Sequence, residues 1–202
     1  MVKIIIFDVM GVVFTEGDDV ENLLIPYIRS LKSDVDKQEI KKLYISTSLG
    51  KLTSHEFWQL AGFEETDISE TEQNYLEKSF SLDPGFLPCA KALKDRYGIA
   101  LLSNDVSEWS RFLRKHYDIE PLIDAAFISG DLGVRKPDPE IYKIVLEELG
   151  KEPGECVFID DDPERVGIAR ELGINSILFN RVGHEYNDMQ VESFEQLKEL
   201  LL

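Results

Sequence analysis

The chain has 202 residues, of which 43% are hydrophobic, so it can bury a sizeable core and is not a disordered protein. Its 39 acidic and 22 basic residues give a net charge of −17, which disfavours nucleic acid or an anionic membrane as a partner. Two cysteines are too few for a disulfide framework or a cysteine zinc site. With so few cysteines, we expect a cytoplasmic protein. The first apolar run, which ends at Asp8, is too short for a signal-peptide core or a membrane span.

Five short apolar runs predict the strands of a parallel sheet, because they are rich in branched residues and are bounded by polar residues or glycine. Helical patterns lie between these runs, and the alternation predicts an open, mostly parallel α/β sheet. In chain order, the predicted strands span residues 3–7, 99–102, 126–129, 156–159 and 175–179, and the helices between them span residues 86–97, 107–117, 138–149 and 163–172.

Residues 15–82 break this alternation, because they contain helical patterns and no convincing strand. We expect them to form a helical cap domain over the end of the first strand, with residues 1–14 and 83–202 forming the α/β core domain. The predicted cap helices span residues 19–31, 36–46, 53–60 and 69–80, and the last two begin with capping-box patterns, from Thr53 to Glu56 and from Ser69 to Glu72. The aromatic residues expected to pack inside the cap are Phe57, Trp58, Phe63 and Tyr75.

Polar residues follow the predicted strands at the edge where open α/β sheets bind ligands. Asp8 ends the first strand, Ser103-Asn104-Asp105 follows the second, and Asp160-Asp161-Asp162 follows a later one. Carboxylates that converge from two strands repel each other unless a cation lies between them, and hard oxygen ligands favour Mg²⁺. Lys136, in the loop GVRKPDPEIY, supplies a point charge that can hold a carboxylate or a phosphate.

Four segments, in this order, resemble the motifs of the haloacid dehalogenase-like superfamily, whose members are mostly phosphatases. They are IIIFDVMGVVF, LLSN, GVRKPDPEIY and VFIDDDPERVGIARELGI. The resemblance spans nearly the whole chain and implies a Rossmann-like core with a small helical cap. The segments DLGVRKPDPEIY and FIDDD are most similar to a branch of sugar-phosphate phosphatases and epoxide hydrolase N-terminal domains.

The resemblance implies Mg²⁺-dependent hydrolysis of a small phosphorylated metabolite, such as a sugar phosphate, through an aspartyl-phosphate on Asp8. Asp8 and Asp161 would bind Mg²⁺ through their side chains, and Met10 through its backbone carbonyl. Asp160 would orient the metal's waters or Lys136, and the sequence leaves open which of Asp160 and Asp161 contacts the metal directly.

The resemblance also assigns the groups that would surround the phosphate. Lys136 would pair with Asp8 and the phosphate, while Ser103, Asn104 and main-chain amides near Gly11 would hydrogen-bond the phosphoryl oxygens. We expect a monomer or a homodimer without a nucleic-acid or membrane partner.

Met10 departs from the family pattern, which usually has a second Asp at this position as the general acid and base. A thioether has no proton to give, and loss of general acid–base catalysis typically costs about 10²–10⁴-fold in rate. Two alternatives therefore stay open. The first is an impaired relative that binds a phosphorylated ligand or a protein partner without turnover. The second is a haloacid dehalogenase, a subgroup that also lacks this Asp, but it is disfavoured because it works without a metal and its fourth motif has fewer carboxylates than FIDDD.

Other polar and sulfur-containing residues in these segments have ordinary structural interpretations. Asp162 directly precedes Pro163 and is predicted to be the N-cap of the following helix. Asp105 is likewise predicted to cap the helix that follows it. Cys89 and Cys156 are predicted to be buried small hydrophobic residues.

Overall fold

A parallel six-stranded sheet forms the centre of the computed structural model, which describes all residues from 1 to 202. The strands are β1 (Ile4–Phe7), β2 (Gly98–Ser103), β3 (Ala125–Ile128), β4 (Cys156–Asp160), β5 (Asn175–Phe179) and β6 (Gln190–Val191). They lie in the order β3-β2-β1-β4-β5-β6. The five predicted strands and the α/β class are confirmed. The two-residue β6 was not predicted, because two residues are too few to show a periodic pattern.

Strands β2 and β3 extend the sheet on one side of β1, and strands β4 to β6 extend it on the other. This change of direction leaves a crevice at the carboxyl end of β1. β1 pairs with β2 on one side and with β4 on the other, and Phe7 lies opposite Ile159. The residues that follow these two positions, Asp8 and Asp160, therefore lie side by side at the carboxyl edge of the sheet. In open parallel sheets such a crevice is where ligands bind. Ile5, Ile6 and Phe7, which precede Asp8, are buried because helices cover both faces of the sheet.

Helices pack on both faces of the sheet and in the segment between β1 and β2. They are α1 (Ile25–Leu31), α2 (Lys37–Thr47), α3 (Ser54–Leu60), α4 (Ile68–Lys78), α5 (Phe86–Leu93), α6 (Ser107–His116), α7 (Ser129–Leu132), α8 (Pro139–Leu149), α9 (Pro163–Glu171) and α10 (Phe194–Leu201). A π-helical turn, Val20–Leu24, leads directly into α1. All eight predicted helices are present, whereas α7 and α10 were missed. None of the helices combines the length and apolar character that crossing a membrane requires.

The N-terminal ends of α3 and α9 have the caps predicted from the sequence. The carboxylate of Asp162 accepts a hydrogen bond from the amide of Glu164 at 2.9 Å, so Asp162 is the N-cap of α9, as predicted. The capping box between Thr53 and Glu56 at the start of α3 is also confirmed. Both cysteines are free and buried, again as predicted.

Two predicted caps are wrong. Helix α4 begins at Ile68, and the Glu72 side chain does not turn back to Ser69, because it is engaged with two tryptophans. Asp105 is not the N-cap of α6, since that helix has Val106 in the capping position. The Asp105 carboxylate instead accepts a hydrogen bond from the amide of Val106 at 2.7 Å.

The chain enters and leaves the all-helical segment through two backbone stretches that run antiparallel, with Phe14 opposite Leu82. The amide of Asp83 donates to the carbonyl of Val13 at 2.9 Å, and the amide of Thr15 donates to the carbonyl of Ser81 at 3.0 Å. The paired backbones lie beside each other at the positions where we expect the cap to begin and end. The assignment of residues 15–82 as a separate cap domain stays a prediction.

Aromatic side chains fill the space between the all-helical segment and α6. Trp58 and Tyr75 are fully buried and pack against Trp109 of α6, with ring centroids 6.0 and 5.4 Å away. The aromatic residues predicted to pack inside the cap therefore form one cluster with Trp109, which lies outside residues 15–82. This cluster carries a polar group, because Glu72 Oε2 accepts hydrogen bonds from the indole N–H groups of Trp58 at 2.8 Å and Trp109 at 2.7 Å.

Glu72 is expected to tie α3 and α4 to α6. The Glu72→Ala variant leaves two indole N–H groups without an acceptor, and we expect it to lower the free energy of unfolding by about 3 kcal/mol in urea denaturation. Glu70→Ala, an exposed change on the same helix, is the matched control and is expected to cost less than about 1 kcal/mol. Equal losses in the two variants would contradict this role of Glu72.

Candidate active site

A cavity of about 720 Å³ opens at the carboxyl edge of the sheet and is lined mostly by polar residues. Asp8, Ser103 and Asp161 approach it from the ends of three neighbouring strands. Asp19 and Tyr44 close it from the all-helical side. The structure therefore brings the strand-end residues predicted from sequence to one place and covers them with part of the predicted cap.

Lys136 is a buried charged group directly behind the cavity wall. Its ammonium donates to Asp8 Oδ1 at 2.7 Å, to Asp160 Oδ2 at 2.7 Å and to the carbonyl of Leu102 at 3.0 Å. The residue is only 3% exposed. An ammonium has three donors, and all three are satisfied by protein acceptors, which makes the burial of this charge tolerable.

Asn104 holds the Lys136 backbone. Its side-chain Nδ2 donates to the Lys136 carbonyl at 2.8 Å, and its Oδ1 accepts from the Lys136 amide at 2.8 Å. The predicted phosphate ligand Asn104 is thus placed at the cavity, but both polar atoms of its amide are already engaged with the lysine loop. Ser103 differs, since its buried Oγ has no hydrogen-bond partner. A buried hydroxyl without a protein partner is uncommon, and Ser103 Oγ can donate to a ligand oxygen.

Asp161 occupies space that two glycines leave free. A Cβ atom on Gly11 would lie 1.9 Å from Asp161 Oδ2, and one on Gly17 would lie 2.5 Å from the same oxygen. Gly11 also has a φ of +80°, which favours glycine. Arg181 braces this loop, because its Nε donates to the Gly11 carbonyl at 3.0 Å and its Nη2 to the Val12 carbonyl at 2.8 Å.

Three carboxylates crowd together in the site. Asp8, Asp160 and Asp161 each offer an oxygen, and these oxygens lie within 4.8 Å of one another. Burial and the neighbouring Asp160 raise the pKa of Asp8 to about 6, although Lys136 and Arg165 oppose the shift. Burial, Asp8 and Asp160 raise the pKa of Asp161 to about 8. Burial and mutual repulsion thus disfavour the charged forms of these carboxylates, and a bound cation would favour them.

The hydrogen bonds divide the three carboxylates by role. Both oxygens of Asp160 are engaged, Oδ2 with Lys136 and Oδ1 with the amide of Asp162 at 2.9 Å. Asp8 Oδ1 accepts from Lys136 and from the amide of Val9 at 2.7 Å. Asp8 Oδ2 and the Asp161 carboxylate have no such short contact. These are the hard oxygen ligands that remain for a divalent cation such as Mg²⁺, so the donor set fits that ion.

Arg165 was not singled out in the sequence. It lies in the first turn of α9, with Nη1 3.4 Å from Asp8 Oδ2 and 3.5 Å from Asp160 Oδ1. Burial lowers the pKa of Arg165, but Asp160 and Asp8 outweigh it and raise this pKa above its ordinary value. The only sequence signal for Arg165 is its position, one helical turn after the acidic run.

Met10 lines the same cavity and is 5% exposed. The position where the family usually has a second Asp therefore faces the site but holds a side chain that cannot transfer a proton. Asp8, Met10, Gly11, Ser103, Asn104 and Asp161 all lie on the cavity wall. Lys136 and Asp160 lie directly behind that wall, in contact with Asp8 or with one another.

Comparison with known proteins places this geometry in a family. Residues 2–173 match the family model of the haloacid dehalogenase-like hydrolases. A D-ribitol-5-phosphate phosphatase of Bacteroides thetaiotaomicron is 27% identical over 187 residues, which cover 87% of this chain and 91% of that protein. An (S)-2-haloacid dehalogenase of a Pseudomonas species is 24% identical, covering 82% of this chain and 80% of that protein.

Solved structures show the same fold. A haloacid dehalogenase family enzyme of Bacteroides thetaiotaomicron, in complex with magnesium and inorganic phosphate, superimposes with a TM-score of 0.72 at 22% identity, over 88% of this chain and 94% of that one. The L-2-haloacid dehalogenase of Xanthobacter autotrophicus gives a TM-score of 0.72 at 19% identity, over 100% and 98% of the two chains. With most of its length matched by the family model and the four motifs gathered at one sheet edge, this chain belongs to the haloacid dehalogenase-like hydrolases.

Proposed function

We propose that this protein is a Mg²⁺-dependent phosphatase of a small phosphorylated metabolite, with Asp8 as its nucleophile. The observation that carries the proposal is the acidic cluster, in which Lys136 holds one oxygen of Asp8 while the other oxygen and Asp161 remain available to a cation. Similarity to a ribitol-5-phosphate phosphatase over most of both chains supports a sugar or polyol phosphate as the substrate class.

The proposed metal ligands are Asp8 and Asp161 through their side chains and Met10 through its backbone carbonyl. Asp160 acts behind them, since both of its oxygens already orient Lys136 and the turn at Asp162. When bound, the ion supplies charge neutralisation and a template for the phosphoryl group.

The Asp8 carboxylate attacks phosphorus, forming an O–P bond as the bond to the leaving oxygen breaks. Lys136 favours the ionised form of Asp8 and fixes its orientation. Ser103 Oγ and main-chain amides near Gly11 donate to the phosphoryl oxygens, although the Gly11 amide itself donates to the Glu16 carbonyl at 2.8 Å. The leaving oxygen takes a proton from water, because Met10 has none to give. Water then attacks phosphorus of the aspartyl-phosphate, releasing inorganic phosphate and restoring Asp8.

A second candidate function follows from Met10, which occupies the cavity wall without an acid–base group. In this alternative the protein binds a phosphorylated ligand without turnover. A dehalogenase would use the same nucleophile on a carbon–halogen bond, but it would have no need for the unpaired Asp161 carboxylate.

The Asp8→Asn variant tests the proposed reaction. We expect wild-type turnover of p-nitrophenyl phosphate and of a panel of sugar phosphates to require Mg²⁺ and to vanish in Asp8→Asn, because an amide is not a nucleophile. Asp95→Asn, an exposed change far from the cavity, is the control and is expected to keep wild-type activity. Wild-type turnover no faster than that of Asp8→Asn contradicts the proposal. Metal-independent release of chloride from 2-chloropropionate assigns the dehalogenase function instead.

The Met10→Asp variant measures what the missing acid–base group costs. For a sugar phosphate, whose leaving group needs a proton, we expect kcat to rise by about 10²-fold. For p-nitrophenyl phosphate, whose leaving group departs as an anion, the expected rise is much smaller. Met10→Asn is the matched control without acid–base capacity. Activity in Met10→Asp together with a silent wild type supports binding without turnover.

Gly17 tests the placement of Asp161. In Gly17→Ala the new Cβ displaces the Asp161 carboxylate, and we expect Mg²⁺ binding, measured by calorimetry, to weaken by about tenfold. Gly154→Ala is the control, because no atom lies within 4 Å of its added Cβ. Unchanged Mg²⁺ affinity in Gly17→Ala would show that Asp161 does not bind the ion.

A further inference from the structure

Arg165 contacts the acidic cluster loosely. Its Nη1 lies 3.4 Å from Asp8 Oδ2 and 3.5 Å from Asp160 Oδ1, and its Nε lies 3.4 Å from Asp162 Oδ2. Charge-assisted N–H···O bonds are normally about 2.7–2.9 Å long. Lys136 meets Asp8 at 2.7 Å, so the lysine is held tightly and the arginine is held by attraction over a longer distance.

Asp8 Oδ2 has Arg165 as its basic partner, and it is also the Asp8 oxygen left for a cation. The guanidinium is always charged and therefore repels a divalent ion that approaches this oxygen. The arginine side chain is 26% exposed and lines the cavity, so it has room to leave Asp8. Ion and arginine thus compete for one oxygen.

The donors around the cavity point to a second role for Arg165. The three donors of Lys136 are directed at Asp8, Asp160 and the Leu102 carbonyl, so each already has a protein acceptor. Two other arginines line the cavity. Arg181 is bonded to Asp83 and to backbone carbonyls. Arg135 donates to Ser48 Oγ, and its guanidinium lies over the Tyr44 ring. Arg165 has five N–H donors and only long contacts, so its planar guanidinium is free to bind a phosphate.

We infer that Arg165 shares Asp8 with the divalent cation, weakening cation binding, and that on release it supplies a contact to the phosphate. The inference rests on the proposed function, because it concerns the same cation and the same phosphoryl group. It adds a positioning and charge-setting residue that the four motifs did not assign.

The test compares the affinities for Mg²⁺ and for inorganic phosphate. A purely structural role of Arg165 would not shift these two affinities in opposite directions. Binding of Mg²⁺ alone, and of inorganic phosphate at saturating Mg²⁺, is followed by calorimetry. In Arg165→Gln we expect Mg²⁺ to bind about tenfold more tightly and phosphate about tenfold more weakly, because one positive charge beside both ligands is lost. In Arg165→Lys, which keeps the charge, we expect the Mg²⁺ affinity to stay near the wild-type value.

Arg170→Gln is the matched control. Arg170 lies on the same helix, but it pairs with Asp188 and with the Ser176 carbonyl, away from the cavity. Both affinities are expected to match wild type in this variant. Unchanged affinities in Arg165→Gln, or losses of both, overturn the inference.

A measurement on the wild-type protein needs no variant. The side-chain Nε resonance of Arg165 is expected to shift when Mg²⁺ is added and to shift again when phosphate follows; no shift in either step overturns the inference. The proposed function fails separately, if wild-type protein binds no Mg²⁺ and hydrolyses no phosphate ester. Normal Mg²⁺ binding with an unresponsive Arg165 refutes the further inference alone.

Discussion

The buried ion pair of Lys136 with Asp8 and Asp160 is the interaction on which the rest of the site depends. The Lys136 ammonium contacts Asp8, which follows β1, and Asp160, the last residue of β4. It also donates to the carbonyl of Leu102 in β2. Removing one partner of a buried ion pair typically costs about 3–5 kcal/mol, because the remaining charge stays desolvated. The sheet order and the position of Asp8 therefore depend on the same ion pair. Asn104 maintains it, because its side chain binds both the amide and the carbonyl of Lys136.

The acidity of the chain has two different meanings. Most of the acidic residues behind the net charge of −17 need no specific basic partner. Asp8, Asp160 and Asp161 differ, because their oxygens lie within 4.8 Å of one another and concentrate negative charge in one place. Lys136 and, over longer distances, Arg165 offset part of this negative charge. Burial, Asp8 and Asp160 nevertheless keep the pKa of Asp161 raised. An acidic protein can accept an anionic substrate at such a place, because the charge of the site differs from the charge of the surface.

The all-helical segment is bound to the sheet by packing as much as by the two backbone connections. Glu72 joins Trp58 to Trp109, and the Tyr44 hydroxyl donates to the Asn104 carbonyl at 3.0 Å. The same segment supplies Asp19 and Tyr44 to the cavity wall. The stability of the segment and the shape of the cavity therefore depend on some of the same contacts.

Local patterns were enough to predict the α/β class, five strands, eight helices and the residues at the strand ends, because periodicity and helix caps are encoded over a few neighbouring residues. They were not enough for α10, for the role of Glu72 or for Arg165. The pattern from Ser69 to Glu72 satisfies the capping-box rule, yet two indole donors that are distant in sequence hold this carboxylate. Arg165 lies one turn after the acidic run, but only the fold places its guanidinium beside Asp8. The sequence by itself determined which chemistry-bearing residues meet at the sheet edge. Only the tertiary structure decided which donors are already engaged, because hydrogen-bond partners depend on contacts between segments far apart in the chain.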